Sequence, residues 1–408
     1  VLVLLFPSKG FRVRLFRPAF RQGMFYVLFM LVTLISAFAA LRNGFYFPSE
    51  LGLLKRPIWI TGSRIAELTI DVGAMIYLVQ LFRADLRNLV FTLRVYYWVG
   101  VVGCAYSIVS FPLNYFYKLD LGTYFGAHRM RGFFNEAGPF GLYMIGEILV
   151  VLLLHRQQWI TRNQFRCTFP LVLIGAVMSQ AKGAIFAVVV MLVINSLLAR
   201  KTSHRVAVLA GVFLISGIAA NVPSVAGAVR AYIEKPADFE YVSHFAATDP
   251  NYIYGKVAGG FLVPRMIAAH PFLGVGWGNY GLVRDSPQYR GAAAFADFDD
   301  GPGLGLFGFA AEIGVPATLF LILIFFYPFL YLRRIGAPLV VKNMALVQPM
   351  VHIFGAQLNM TYPWTMTAFA FALGYFYSRH QLSAYPPSEP LEHKLLLPSS
   401  GREAAPSV

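Results

Sequence analysis

Residues 167–199 read CTFPLVLIGAVMSQAKGAIFAVVVMLVINSLLA. Two apolar stretches, 167–181 and 183–199, flank a single cation, Lys182, in Ser179-Gln-Ala-Lys-Gly183. Each stretch is about long enough to enter or cross a bilayer, whose hydrocarbon core is about 30 Å thick. A lysine costs roughly 2.5–3.5 kcal/mol at the centre of a membrane helix. A chain that keeps one beside such segments has a use for it, and the natural use is to hold an anion at the membrane surface. Ser179 and Gly183 suit a compact turn with exposed backbone N–H groups, which also favours phosphate. The plainer reading is a lysine that snorkels out of a tight turn.

The rest of the chain agrees with a membrane setting. Of its 408 residues, 57% are hydrophobic and 13% are charged. Soluble domains average roughly 25% charged residues. Mean hydropathy is +0.60. The net charge of +15 does not indicate nucleic acid, because the cations are scattered between apolar segments and form no stripe. A disulfide needs Cα atoms within about 7 Å. Cys104 belongs mid-membrane and Cys167 near a cytoplasmic edge, so they are not expected to pair. No zinc-binding spacing occurs.

The fold class expected is an all-α polytopic membrane protein with about ten transmembrane helices and one large periplasmic loop containing short helices. The spans read at 24–41, 65–82, 95–113, 137–154, 167–181, 183–199, 206–222, 304–331, 343–358 and 362–378. Eighteen helical residues rise about 27 Å, close to the hydrocarbon thickness. The fifth and ninth spans are short, which allows tilted, broken or re-entrant helices packed against others. The chain opens with valine, and this reading leaves room for helices before Val1. Val1–Phe6 is too short for a signal sequence and its basic run follows rather than precedes it.

Charge sets the orientation. With the N-terminus in the cytoplasm, 20 of the 34 Lys and Arg fall on inside segments, spread over every inside loop. Such a bias predicts both termini inside. Four regions follow: seven spans in 1–222, a long outside loop at 223–303, three spans in 304–378 and a Pro/Ser-rich, disordered cytoplasmic tail at 379–408. Long loops without structure of their own are uncommon unless functional. Short helices are expected in this one at 225–234 and 256–269.

Several side chains on the outer face have chemical potential. Arg129-Met-Arg131-Gly-Phe-Phe-Asn-Glu136 precedes the fourth span. Its arginines can capture an anion, with Glu136 orienting them or acting as a base. Alternatively they anchor the interface, with Glu136 favourable at a helix N-terminus. Lys256 and Arg265 stand in the long loop before His270-Pro-Phe-Leu-Gly-Val-Gly-Trp-Gly-Asn-Tyr-Gly281. These glycines lack the strand–turn–helix setting of a dinucleotide site and fit a turn whose backbone makes a close approach. His270 reads either as a ligand-binding or as a helix-ending residue. Asp297, Asp299 and Asp300 precede Gly-Pro-Gly and supply a base or merely solvate a loop. No second oxygen-ligand cluster is visible, so no metal is expected.

These segments, in this order, resemble the O-antigen ligase and O-antigen polymerase superfamily of bacterial membrane glycosyltransferases. The likeness spans roughly residues 120–332 and rests on His270–Tyr280, Ala311-Glu-Ile-Gly-Val-Pro, Ser179-Gln-Ala-Lys-Gly-Ala and Arg131-Gly-Phe-Phe-Asn-Glu-Ala-Gly-Pro. It implies a helical bundle in the bacterial inner membrane with a periplasmic site. The donor is a glycan on undecaprenyl diphosphate and the acceptor a hydroxyl of lipid A–core or of another repeat unit. It implies neither a cofactor nor a metal nor a nucleotide sugar. A flippase or a chain-length regulator is an expected partner, along with membrane lipids. Arg129, Arg131, Lys182, Lys256, Arg265 and His270 are then the substrate-binding candidates, and Glu136, Asp299 and Asp300 the candidate bases. Two departures stand out: the family usually has arginine where Lys182 and Lys256 stand, and the ligase-type His-Asn pair is replaced by Asp299-Asp-Gly-Pro-Gly. Lysine keeps the charge but loses bidentate phosphate recognition, and the missing His-Asn pair favours a polymerase, or a ligase-like relative with another acceptor. The competing reading is a transporter or flippase of lipid-linked oligosaccharide.

Overall fold

The bundle is built from helices that run back and forth between two ends. The computed structural model describes residues 16–42, 56–119, 121–124, 129–197, 256–284, 286–290, 305–353 and 360–381. α1 (Arg17–Arg42), α2 (Pro57–Ala84) and α3 (Leu86–Tyr117) come first, followed by a two-stranded antiparallel hairpin, β1 (Thr123–Tyr124) and β2 (Arg129–Met130). α4 (Ala137–Arg156), α5 (Arg162–Met178) and α6 (Lys182–Leu197) complete the first half. The second half contains α7 (Lys256–Ala269), the short α8 (Tyr280–Val283) and α9 (Pro287–Arg290), α10 (Leu306–Ile313), α11 (Val315–Arg334), α12 (Leu339–Ile353) and α13 (Thr361–Ser378).

Local chemistry fixes the helix ends. Asp85 ends α2 in extended geometry and starts α3, its side chain accepting from Arg87 N at 2.8 Å. Such a cap satisfies one of the helix's orphan N–H groups. α3 stops where Lys118 turns left-handed (φ 59°) and donates its N–H to Asn114 O. α5 starts with a reciprocal capping box between Thr161 and Gln164.

Among the described residues, five helices are long and apolar enough to cross a membrane: α2, α3, α4, α11 and the Arg17–Phe38 part of α1. The pair α5 and α6 makes a sixth if its two arms, bent by 116°, form one broken span. α12 is apolar but shorter, with 15 residues. The all-helical membrane class thus holds, with a small hairpin added. The apolar run read as one span at 304–331 is broken at Gly314 (φ 83°) into α10 and α11. The expected helix at 256–269 is present as α7, whereas 206–222, most of the long loop and the tail lie outside the described residues.

α4 is central. It packs on α3, α5, α6, α12 and α13, and most of its side chains are buried. Outer helices turn apolar stripes outward, as in Leu28, Leu31, Ile35 and Phe38 of α1 and Leu319 and Leu323 of α11. Large exposed apolar side chains at helical spacing suit lipid rather than water. Glycines bring helices close: at Gly175 an added Cβ would overlap Cys104 Sγ, and at Gly374 it would overlap Leu332. Small residues serve this purpose in membrane bundles. Cys104 is buried and Cys167 exposed, and both are free thiols.

The contacts also define the two ends. Arg83 lies over Phe16 and Tyr375, Arg379 over Tyr375, and Arg94 donates to Trp159 O at 3.0 Å. These arginines share one end with Arg156, Arg162, Arg333 and Arg334. The opposite end gathers the hairpin, the α5–α6 turn, the 270–281 segment and α10.

Candidate functional site

At this second end the hairpin bends back over the bundle. Arg131 N donates to Gly122 O, while its side chain donates through Nε to Leu121 O at 2.8 Å and through Nη1 to Asn135 O at 3.1 Å. Ser107 of α3 donates to Gly122 O and accepts from Gly132 N, which pins the hairpin to the bundle. Arg131 therefore shapes the loop in which it stands. Glu136, five residues on, is the exposed N-cap residue of α4 and makes no capping hydrogen bond.

Arg129 reaches across to the other basic stretch. Its Nε donates to Ser179 O at 2.9 Å and its Nη2 to Gln180 O at 3.3 Å. Those carbonyls belong to the turn between α5 and α6, where Gln180 takes a left-handed conformation (φ 50°) and Ser179 Oγ accepts from Ala181 N. Lys182 is the first residue of α6. Gly141 of α4 abuts Ser179 and Ala181 so closely that a Cβ would overlap both. Arg129, Arg131, Glu136 and the backbone of Lys182 thus come together around the start of α4. A guanidinium beside a helix N-terminus favours anions, because the macrodipole and the side chain act with the same sign.

The second group lies along α7 and the turn after it. Lys256 is the first residue of α7; Arg265 Nη1 donates to Tyr289 O at 3.1 Å, and the His270 ring sits edge-on to that of Tyr289 at 6.4 Å. Burial lowers the His270 imidazole below its ordinary value and pushes the Tyr289 phenol up to about 12, so both are neutral near pH 7. Asp299 and Asp300 lie outside the described residues.

His270–Tyr280 and Ala311–Pro316, two of the stretches that carry the resemblance, are interlocked. Val275 N donates to Ala311 O, Gly276 N to Glu312 O and Val315 N to Pro271 O, at 2.8–2.9 Å. α1 and α2 hold the same loop from below, through Ser36 to Leu273 O and Thr61 to Trp277 O. The buried Glu312 carboxylate accepts from Tyr280 N at 3.3 Å and from Gly278 N. Its acid is raised from 4.5 to about 7, chiefly by desolvation, with the Gly278 amide, Arg64 and the Tyr280 amide opposing. The two groups share one end of the bundle: Gly305, before α10, meets Ile353 of α12, and Tyr362 of α13 donates to Pro139 O of α4.

Sequence reasoning missed Glu312 and Glu147. The first sits inside Ala311-Glu-Ile-Gly-Val-Pro, and only its fit against Gly278 and Tyr280 distinguishes it. The second is a lone carboxylate in Met144-Ile-Gly-Glu-Ile-Leu-Val, a legible signal, since an ionisable residue amid a span is functional by default. Among the described residues no group of three or more His, Cys, Asp or Glu is placed to hold a metal ion. No family model and no curated protein matches this chain.

Proposed function

We propose that this protein is a membrane glycosyltransferase of the O-antigen ligase or polymerase type. It transfers a glycan from undecaprenyl diphosphate to an acceptor hydroxyl, with polymerisation of repeat units favoured over ligation to lipid A–core. The observation that carries this reading is the bridge from Arg129 to the Ser179–Gln180 turn, which brings two distant basic stretches to one place. The reading puts about ten spans in the bacterial inner membrane, both termini in the cytoplasm and the basic site in the periplasm. The arginine-rich end of the bundle supports that orientation.

In this mechanism Arg129, Lys182 and the N-terminus of α6 receive the diphosphate, joined by Arg131, Lys256 and Arg265. The acceptor oxygen forms a bond to the anomeric carbon as the carbon–oxygen bond to the diphosphate breaks, and the bonding pair leaves on the phosphate oxygen. Fixed cations beside a low-dielectric membrane stabilise that growing charge. The hydroxyl proton passes to Glu136, or to Asp299 or Asp300. A single displacement inverts the anomeric centre.

Lys182→Ala and Glu136→Gln, each assayed in membranes for consumption of lipid-linked glycan, are expected to lose about 10²-fold or more in turnover. Unchanged turnover in both rejects the site. Loss of the gene should leave single lipid-linked repeat units if the protein polymerises and long unattached chains if it ligates.

The buried Glu147 and Asp71 favour a second reading, transport of the lipid-linked oligosaccharide, because transporters keep ionisable groups within their spans. Translocation in reconstituted vesicles without a new glycosidic bond would select it.

A further inference from the structure

Glu147 sits three helical turns into α4 and is fully enclosed. Neither of its carboxyl oxygens has a hydrogen-bond partner among the described residues. The space it occupies is made for it: Gly100 of α3 lies against the carboxyl, and a Cβ there would overlap Cδ and Oε2. Tyr96 Oη, one turn before Gly100, is likewise buried and hydrogen-bonds the Tyr143 side chain. It comes within 3.1 Å of where a side chain on Gly146 would begin. The unpartnered acid and a buried phenol therefore share one closed space between α3 and α4.

Among the described residues, what faces this space is neutral. α3 presents Tyr96, Tyr97 and Cys104, α4 itself presents Tyr143, and Tyr362 of α13 stands beyond Tyr96. His352 of α12 is stacked on Phe325 at 5.0 Å. Lys182 begins α6 next to the level of Gly141, six residues or about 9 Å along α4 from Glu147. The ion pair between Arg64 and Glu67 lies within α2. An ionised carboxylate enclosed without a cation is far costlier than its neutral acid.

We propose that Glu147 is a proton-binding site built into the bundle. The bound proton keeps the α3–α4 contact at Gly100 closed. Its release to water breaks the carboxyl O–H bond and requires the two helices to part and hydrate the anion. Glu136 caps the outer end of α4 and Asn135 before it accepts from Arg131, so such parting reaches the hairpin. The inference is independent of the glycosyltransfer reading, because its readout is the acid itself.

The test is infrared spectroscopy of the purified full chain in lipid discs at neutral pH. The expected result is the carbonyl stretch of a carboxylic acid without hydrogen bonds, present in the wild type, retained in Glu136→Gln and Glu312→Gln, and absent in Glu147→Gln. A Glu147→Gln difference spectrum containing only carboxylate bands overturns the proposal. Thermal unfolding gives the second reading: the wild type should lose stability more steeply than Glu147→Gln as pH rises, and identical profiles overturn the coupling to packing. Should Glu147→Gln fail to fold, Gly100→Ala, which displaces the carboxyl, must shift or abolish the same band; an unaltered band also overturns the proposal.

Discussion

Gly274 and Gly314 show how little freedom single positions have at the interlocked loop. Both are left-handed (φ 65° and 83°), and a Cβ would run into Glu312 backbone at the first and Phe272 backbone at the second. Backbone cannot yield as a flexible side chain can, so Gly274→Ala or Gly314→Ala should destabilise by at least the 1–3 kcal/mol of a strained residue. Gly138→Ala, with nothing within 4 Å, should be near neutral. Thermal unfolding in detergent separates these outcomes. Glu312 gives a pH signature at the same place. Below its unfolded value of 4.5 the acid is protonated in both states; as pH rises through about 7 the unfolded chain has lost its proton first. The stability it contributes is therefore full at low pH and falls by about 3 kcal/mol across that window. Glu312→Gln should flatten that part of the profile, and a profile unchanged by the substitution would contradict the burial argument. The four glycines of 270–281 were legible as a close-approach turn, because composition marks such a turn; what they approach was not.

At the scale of elements, the hairpin and the α5–α6 turn behave as one unit. Arg129 supplies two charge-assisted hydrogen bonds to carbonyls that the turn leaves unpaired by its helices. Each bond to a charged group is worth roughly 1.5–3 kcal/mol. Arg129→Ala should raise amide hydrogen exchange at Ser179–Gly183 by at least tenfold, whereas Arg129→Lys, which keeps the charge but loses the fork, should recover only part of the protection. Equal exchange in wild type and Arg129→Ala would remove Arg129 as the tie. The apolar lengths of 167–181 and 183–199 predicted two membrane segments, and two helices exist. Their 116° bend could not be read from hydropathy, because a straight pair and a folded-back pair have the same composition. The same holds at Gly314, where one apolar run became two helices because the 270–281 loop needs the backbone between them.

For the whole molecule, the prediction is topological. In a Cys167→Ser background, Asn135→Cys should react with a membrane-impermeant thiol reagent from the periplasmic side only, and Arg156→Cys from the cytoplasmic side only; both positions are exposed. The reverse pattern would invert the bundle and place the basic site in the cytoplasm. Hydropathy and the spread of arginines determined that the chain is a helical membrane bundle, because the cost of apolar surface in water and of charge in lipid depends only on local composition. Which side chains meet was decided by the tertiary structure alone. Arg129 and Ser179 are 50 residues apart, and Gly278 and Glu312 are 34 apart; nothing in either sequence neighbourhood names its partner. Helices meet through shape, so a missing side chain at Gly100 or Gly141 gains its meaning only from what packs against it.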